Sequence, residues 1–102
     1  MTETAQEGFV LILHEVEDYP RWKAIFDAAA TIRHAAGEVE YHLLAAETDA
    51  RQVVHFSRWR SLAAARAFFE SAELVDIRKR AGVKAPDFHY LREVEKGVLD
   101  QS

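Results

Sequence analysis

The chain has 102 residues, which suits one domain and leaves little room for a second. Apolar residues make up 49% and charged residues 29%, a globular rather than a disordered composition. A net charge of −4 gives no basic footprint for nucleic acid, the lack of cysteine removes disulfides and thiolate metal sites, and no apolar run reaches the ~18 residues that span a bilayer. The opening stretch, Met1 to Glu7, is polar and acidic, the opposite of a secretory signal, so a cytoplasmic protein is expected.

Residues 1–7 and 97–102 have the composition of frayed ends, and 8–96 form one domain. Gly8 to Val16 is a nearly continuous apolar run and predicts a central strand buried on both faces. Asp18 is an N-cap and Pro20 suits a first helical turn. Trp22, Ile25, Phe26, Ala29, Ile32 and Ala36 then recur at helical spacing, and Gly37 supplies the stop. Glu38 to Glu47 alternates, with Val39, Tyr41, Leu43 and Ala45 against Glu40, His42, Leu44 and Ala46. The polar Thr48 to Arg51 turn makes Gln52 to Trp59 its hairpin partner. In that strand Val53, His55, Ser57 and Trp59 share one side, and Val54, Phe56 and Arg58 the other.

Ser61 caps a second helix with the stripe Leu62, Ala65, Phe68 and Phe69. Ser71 restarts it, it runs through Leu74 and Ile77 to Lys79-Arg80, and Gly82 ends it. Pro86 to Glu95 is the last strand, with Phe88, Tyr90, Arg92 and Val94 alternating against His89 and Leu91. The order β-α-β-β-α-β predicts an α+β, ferredoxin-like fold: a four-stranded antiparallel sheet with two helices on one face. Each crossover is expected to be right-handed. The other face carries Val, Leu, Tyr, Trp and Phe, and a bare apolar face on so small a domain needs a cover. A second copy of the chain is the simplest one, which gives a homodimeric α/β barrel.

Several segments resemble a known group. His14-Glu15-Val16-Glu17-Asp18-Tyr19-Pro20-Arg21-Trp22-Lys23 is similar to the opening of small bacterial dimeric α/β-barrel proteins. Phe56-Ser57-Arg58-Trp59-Arg60-Ser61-Leu62, Ala67 to Leu74 and Ala81-Gly82-Val83 are similar to later parts of the same proteins. The wider group is the antibiotic biosynthesis monooxygenase-like superfamily, and the resemblance spans about residues 8 to 95. It implies the dimeric barrel and includes cofactor-independent monooxygenases of aromatic polyketides, polyketide cyclases and heme-degrading enzymes. The heme degraders carry a polar residue near the end of the first strand and a Trp at the end of the third. His14 and Trp59 match those positions. Their iron-ligating His on the second helix has no counterpart between Ser61 and Arg80, so heme degradation does not carry over.

Four of the five histidines fall one per strand, His14, His42, His55 and His89, while His34 ends the first helix and is expected in solvent. Sequence parity does not say which of them face a pocket. Trp59 and His55 are four residues apart on one strand, so if Trp59 faces the pocket, as the resemblance implies, His55 and Ser57 do too. His14 stands alone as a polar group in an apolar strand, a costly placement unless it is used or satisfied. Its imidazole can accept a proton from a phenol or an acidic C–H near neutrality. Trp59, with Phe88 or Tyr90, would stack on a flat ligand.

Each histidine also has a bland reading as a hydrogen-bonded sheet residue. Arg58 and Arg92 are more simply partners of Glu40, Glu93 or another chain than anion binders. No H-x-H or H-E-x-x-H signature supports a native metal, and no glycine-rich phosphate loop supports a nucleotide. The expectation is therefore a small-molecule enzyme without metal or organic cofactor, similar to the monooxygenases, on an aromatic or polyketide-like substrate. His14 and His55 are its candidate catalytic residues, and Trp59, Ser57, His42, His89 and Tyr90 its candidate ligand contacts. A non-redox cyclase or isomerase, a non-catalytic ligand-binding dimer and a metal-dependent enzyme on the strand histidines remain open. Neither nucleic acid nor a membrane is an expected partner.

Overall fold

A computed structural model describes residues 7–100. The expectation of frayed ends therefore falls, for 1–6 and 101–102, outside the described residues. The elements follow in the order β1 (Gly8–Val16), α1 (Tyr19–Ala28), α2 (Ala30–Ala36), β2 (Glu38–Ala46), β3 (Asp49–Trp59), α3 (Leu62–Glu70), α4 (Ala72–Arg80) and β4 (Val83–Leu91). The four strands form one antiparallel sheet in the order β2-β3-β1-β4. The fold is the expected α+β one, with each predicted helix divided in two.

The divisions have local causes. The Asp18 carboxylate accepts from the Arg21 amide at 3.3 Å and starts α1. At Ala29 the backbone leaves helical geometry for one residue, and α2 continues as a short second piece. Ser71 takes an extended backbone between α3 and α4. Its hydroxyl donates to the Phe68 carbonyl at 2.8 Å and accepts from the Leu74 amide at 3.2 Å, closing one helix and opening the next.

Two strand boundaries differ from expectation. The β2–β3 turn is tighter, and β3 begins at Asp49 rather than Gln52. The last strand runs from Val83 to Leu91 rather than from Pro86 to Glu95. Its pairing with β1 shifts between Leu13 and Glu15, so that Ala85, at φ 47°, and Pro86 bulge opposite His14. An edge strand tolerates this proline because no neighbour needs its missing N–H. Residues 92–100 have no regular structure.

Strand parity sorts the sheet into two faces. Val10, Ile12, His14 and Val16 of β1, and Val53, His55, Ser57 and Trp59 of β3, are buried beneath the helices. The expectation that β1 is buried on both faces does not hold within one chain. Its alternate residues Phe9, Leu11, Leu13 and Glu15 lie on the open face, where Leu13 is 39% exposed.

The core under the helices forms two clusters. One gathers Val10, Ile12, Trp59, Ala65 and Phe69; the other gathers Val16, Trp22, Phe26, Val53 and Ala81.

Candidate active site

A cavity of about 70 Å³ opens between the two core clusters, under the helices and within a single chain. Trp22, Phe26, Phe69 and Phe88 supply aromatic walls, and His14, His55, Arg33 and Arg78 supply the polar groups. The cavity lies on the helix side of the sheet, within one chain, rather than on the open face that a second copy would cover. The reason is parity: the apolar helix stripes pull β1 and β3 so that His14 and His55 turn toward them.

His14 is 7% exposed and tilts against the Trp22 ring at 5.4 Å. Its Nδ1 is buried and has no hydrogen-bond partner. Burial lowers its pKa from 6.5 to about 4. His55 adds to the fall, the Ile12 carbonyl opposes it, and Arg78 contributes a smaller repulsion. The ring is therefore neutral throughout the physiological range.

His55 is buried deeper and held by a chain of charges. Its Nε2 lies 2.8 Å from one Glu38 oxygen, while Arg33 Nε donates to the other at 2.5 Å. The Arg33 guanidinium also donates to the Phe26 carbonyl and sits over the Phe26 ring at 3.7 Å. All three side chains are at most 6% exposed. Gly37 brings Arg33 and Glu38 together. At φ 124° it takes a conformation that an L side chain resists, ending α2 and starting β2 within one residue.

Arg78 on α4 donates to the Phe69 carbonyl at 2.9 Å and lies 4.9 Å from the Phe88 ring. Partial burial lowers its pKa, but a guanidinium stays charged. Among the described residues no carboxylate pairs with it.

The remaining predicted residues divide by face. Ser57 and Trp59 share the helix-side face with His55 but do not line the cavity. The Trp59 indole N–H donates to the Ser57 hydroxyl at 2.8 Å, and the ring packs on Phe68 and Phe69. Tyr90 faces the same side, covered by the Arg66 guanidinium at 4.1 Å, and burial raises its pKa. His42 pairs in register with Phe56, and His89 with Leu11, so both stand on the open face, away from the cavity. His89 lies 3.1 Å from Asp87. Because β2 and β4 are opposite edges of the sheet, the four strand histidines do not converge. Among the described residues no three His, Asp or Glu side chains gather as a metal site. Arg58 is on the open face and pairs with Glu7 at 2.7 Å and Glu40 at 3.3 Å.

Sequence reasoning did not single out Arg33, Glu38 or Arg78 as site residues, and treated Trp22 as helix packing. Two signals were available. Trp22, Phe26, Ala29 and Arg33 recur at helical spacing, and so do Leu74 and Arg78, so each arginine falls on an apolar stripe. Glu38 carried no such signal. A bulge at Val39 lets Glu38 pair with Trp59 and Glu40 with Arg58, which turns Glu38 inward against simple alternation.

The comparisons agree with this architecture. The cofactor-independent oxygenase SnoaB from Streptomyces nogalater superimposes with a TM-score of 0.74 at 14% identity, covering 90% of this chain and 97% of that one. Rv0793 from Mycobacterium tuberculosis gives a TM-score of 0.63 at 19% identity, covering 89% of this chain and 99% of that one. At such identities the likeness speaks for the fold alone. No curated protein sequence matches the chain. The family model described as antibiotic biosynthesis monooxygenase matches residues 17–80, well over half the chain. Matched over that length, the chain belongs to the antibiotic biosynthesis monooxygenase family.

Proposed function

We propose that the chain is a small-molecule monooxygenase that uses O2 on a phenolic, polyketide-like substrate without an organic cofactor. The observation that carries this reading is His14: a neutral imidazole with an unpartnered buried nitrogen at the wall of an aromatic cavity. In the tautomer that leaves Nδ1 unprotonated, this nitrogen is a proton acceptor with nothing in the protein to accept from. A second polar group of the cavity, Arg78, offers a positive charge to the oxygen of a phenolate or enolate. SnoaB, similar in fold, is itself a cofactor-independent oxygenase.

The chemistry needs only these groups. His14 takes a proton from an activated carbon of the bound phenol. The imidazolium that burial disfavours then forms beside a newly anionic substrate, which offsets part of the cost. The carbanion gives an electron to O2, and the radical pair closes to a C–O bond. The proton returns to give a hydroperoxide, which loses water with the carbon's second hydrogen. Net, CH2 and O2 become C=O and H2O, and every electron that reduces oxygen comes from the substrate carbon. Trp22, Phe26 and Phe88 would hold the ring and keep water away.

The test is oxygen uptake under labelled O2 with a panel of phenols, from the single rings that suit a cavity of about 70 Å³ up to polycyclic ones. The expected result is a ketone product carrying labelled oxygen, lost in His14→Ala and strongly reduced in Arg78→Gln. Substrate turnover without oxygen consumption would instead identify a cyclase or isomerase. No turnover of any panel member by folded protein would remove the catalytic reading.

A further inference from the structure

His14 and His55 share the cavity yet are held differently, and the difference lies behind His55. Nothing in the reaction above needs a buried Arg33–Glu38 pair. Burying two charges is costly even when they pair well, so the pair calls for a use. Its geometry supplies one. Arg33 occupies one Glu38 oxygen, and the His55 Nε2 faces the other. A carboxylate only accepts, so the ring nitrogen facing it must carry a proton.

We propose that Arg33 and Glu38 are positioning residues that lock His55 with its proton on Nε2 and its lone pair on Nδ1. His55 is thereby an acceptor toward the cavity it lines. This deepens the proposed reading and rests on it for its use. An acceptor of fixed tautomer selects a ligand carrying a hydroxyl donor at that point, leaving His14 to take the reacting proton. Arg33 acts through Glu38, and Glu38 through His55.

The orientation of Glu38 makes a sharp prediction for Glu38→Gln. Arg33 can only donate, so it claims the single amide oxygen. The amide NH2 is then turned toward His55, whose Nε2 must become the acceptor. The tautomer inverts, and Nδ1 acquires the proton. Arg33→Lys keeps a cation on the same oxygen and should retain the original tautomer.

Long-range nitrogen–proton NMR of the ring, in the unliganded protein at pH 8, reads this directly. The His55 signals are assigned by their loss in His55→Asn. The expected wild-type pattern is an acceptor-type Nδ1 and a protonated Nε2. Glu38→Gln should exchange the two, and Arg33→Lys should not. A wild-type ring that is protonated on Nδ1, doubly protonated or a mixture of tautomers overturns the proposal, and so does a Glu38→Gln spectrum unchanged from wild type. Should Glu38→Gln fail to fold, the wild-type spectrum still decides. Because no turnover is measured, a protein without oxygenase activity could still show the lock, so the two proposals fail separately.

Discussion

The two faces of the sheet carry similar residues with opposite fates. Under the helices lie His14, His55 and Glu38, each at most 7% exposed. On the open face lie His42, His89 and Glu40, in contact with solvent. Strand β2 supplies members of both sets, Glu38 and Glu40, only two residues apart. What separates them is whether the neighbouring layer removes water. Where it does, a histidine loses its charge or gains a fixed partner; where it does not, a carboxylate such as Glu40 forms a surface pair with Arg58. Chemistry is placed by the pleat and the bulge as much as by residue type.

The largest effect that would break this comparison comes from removing one carboxylate from each face. Glu38→Ala strands the Arg33 guanidinium beneath α2 without its carboxylate, and a cut buried pair costs about 3–5 kcal/mol. Glu40→Ala, two residues along the same strand, removes a solvent-exposed pair and should leave the denaturation midpoint in place. Urea unfolding of both variants measures the contrast. Equal, small losses would mean that Arg33 reaches water when its partner is removed.

Next in size is the pH dependence set by His14. Its folded pKa of about 4 lies below the ordinary 6.5, so from pH 6.5 downward the unfolded chain binds a proton that the folded chain refuses. Stability therefore falls as pH drops from 6.5 toward 4, by ~3 kcal/mol in all at 1.36 kcal/mol per pKa unit, and is unaffected by this group above 6.5. His14→Phe should flatten that part of the curve relative to wild type. The difference between the two curves isolates His14 from the carboxylates that titrate in the same range. Parallel curves would show that water reaches the ring.

The strand faces and helix caps were the more legible half of the sequence, and the site the less legible. Alternation in β3 correctly grouped Val53, His55, Ser57 and Trp59, because the strand stays in register with β1 from Val53 to Trp59 and so keeps its period of two there. The caps at Asp18, Ser61 and Ser71 were legible because one side-chain oxygen and one spacing define them. The inward turn of Glu38 was not, since a bulge adds a residue without any mark in the sequence. Nor was the side of the sheet that holds the cavity. Both faces are apolar enough to promise burial, and only packing shows that His14 falls at the seam between two core clusters.

The smallest effect on the fold, and the one that tests the open face itself, is Phe56→Lys. Phe56 stacks on Phe9 with ring centres 5.3 Å apart, on a face no helix covers. Leu13, Leu44 and Leu91 add exposed apolar area around it, at 39%, 55% and 40%. We propose a second copy of the chain as the cover, since a bare face of this kind on a small domain favours self-association. Losing the stacked pair costs the monomer about 0.5–1.5 kcal/mol. A lysine buried between two sheets costs the association far more, because its charge would lose water without gaining a partner. Sedimentation velocity should therefore show the wild type as a dimer and Phe56→Lys as a folded monomer. A wild type that sediments as a monomer would leave the open face without its proposed partner, while the cavity, which closes within one chain, would keep its geometry.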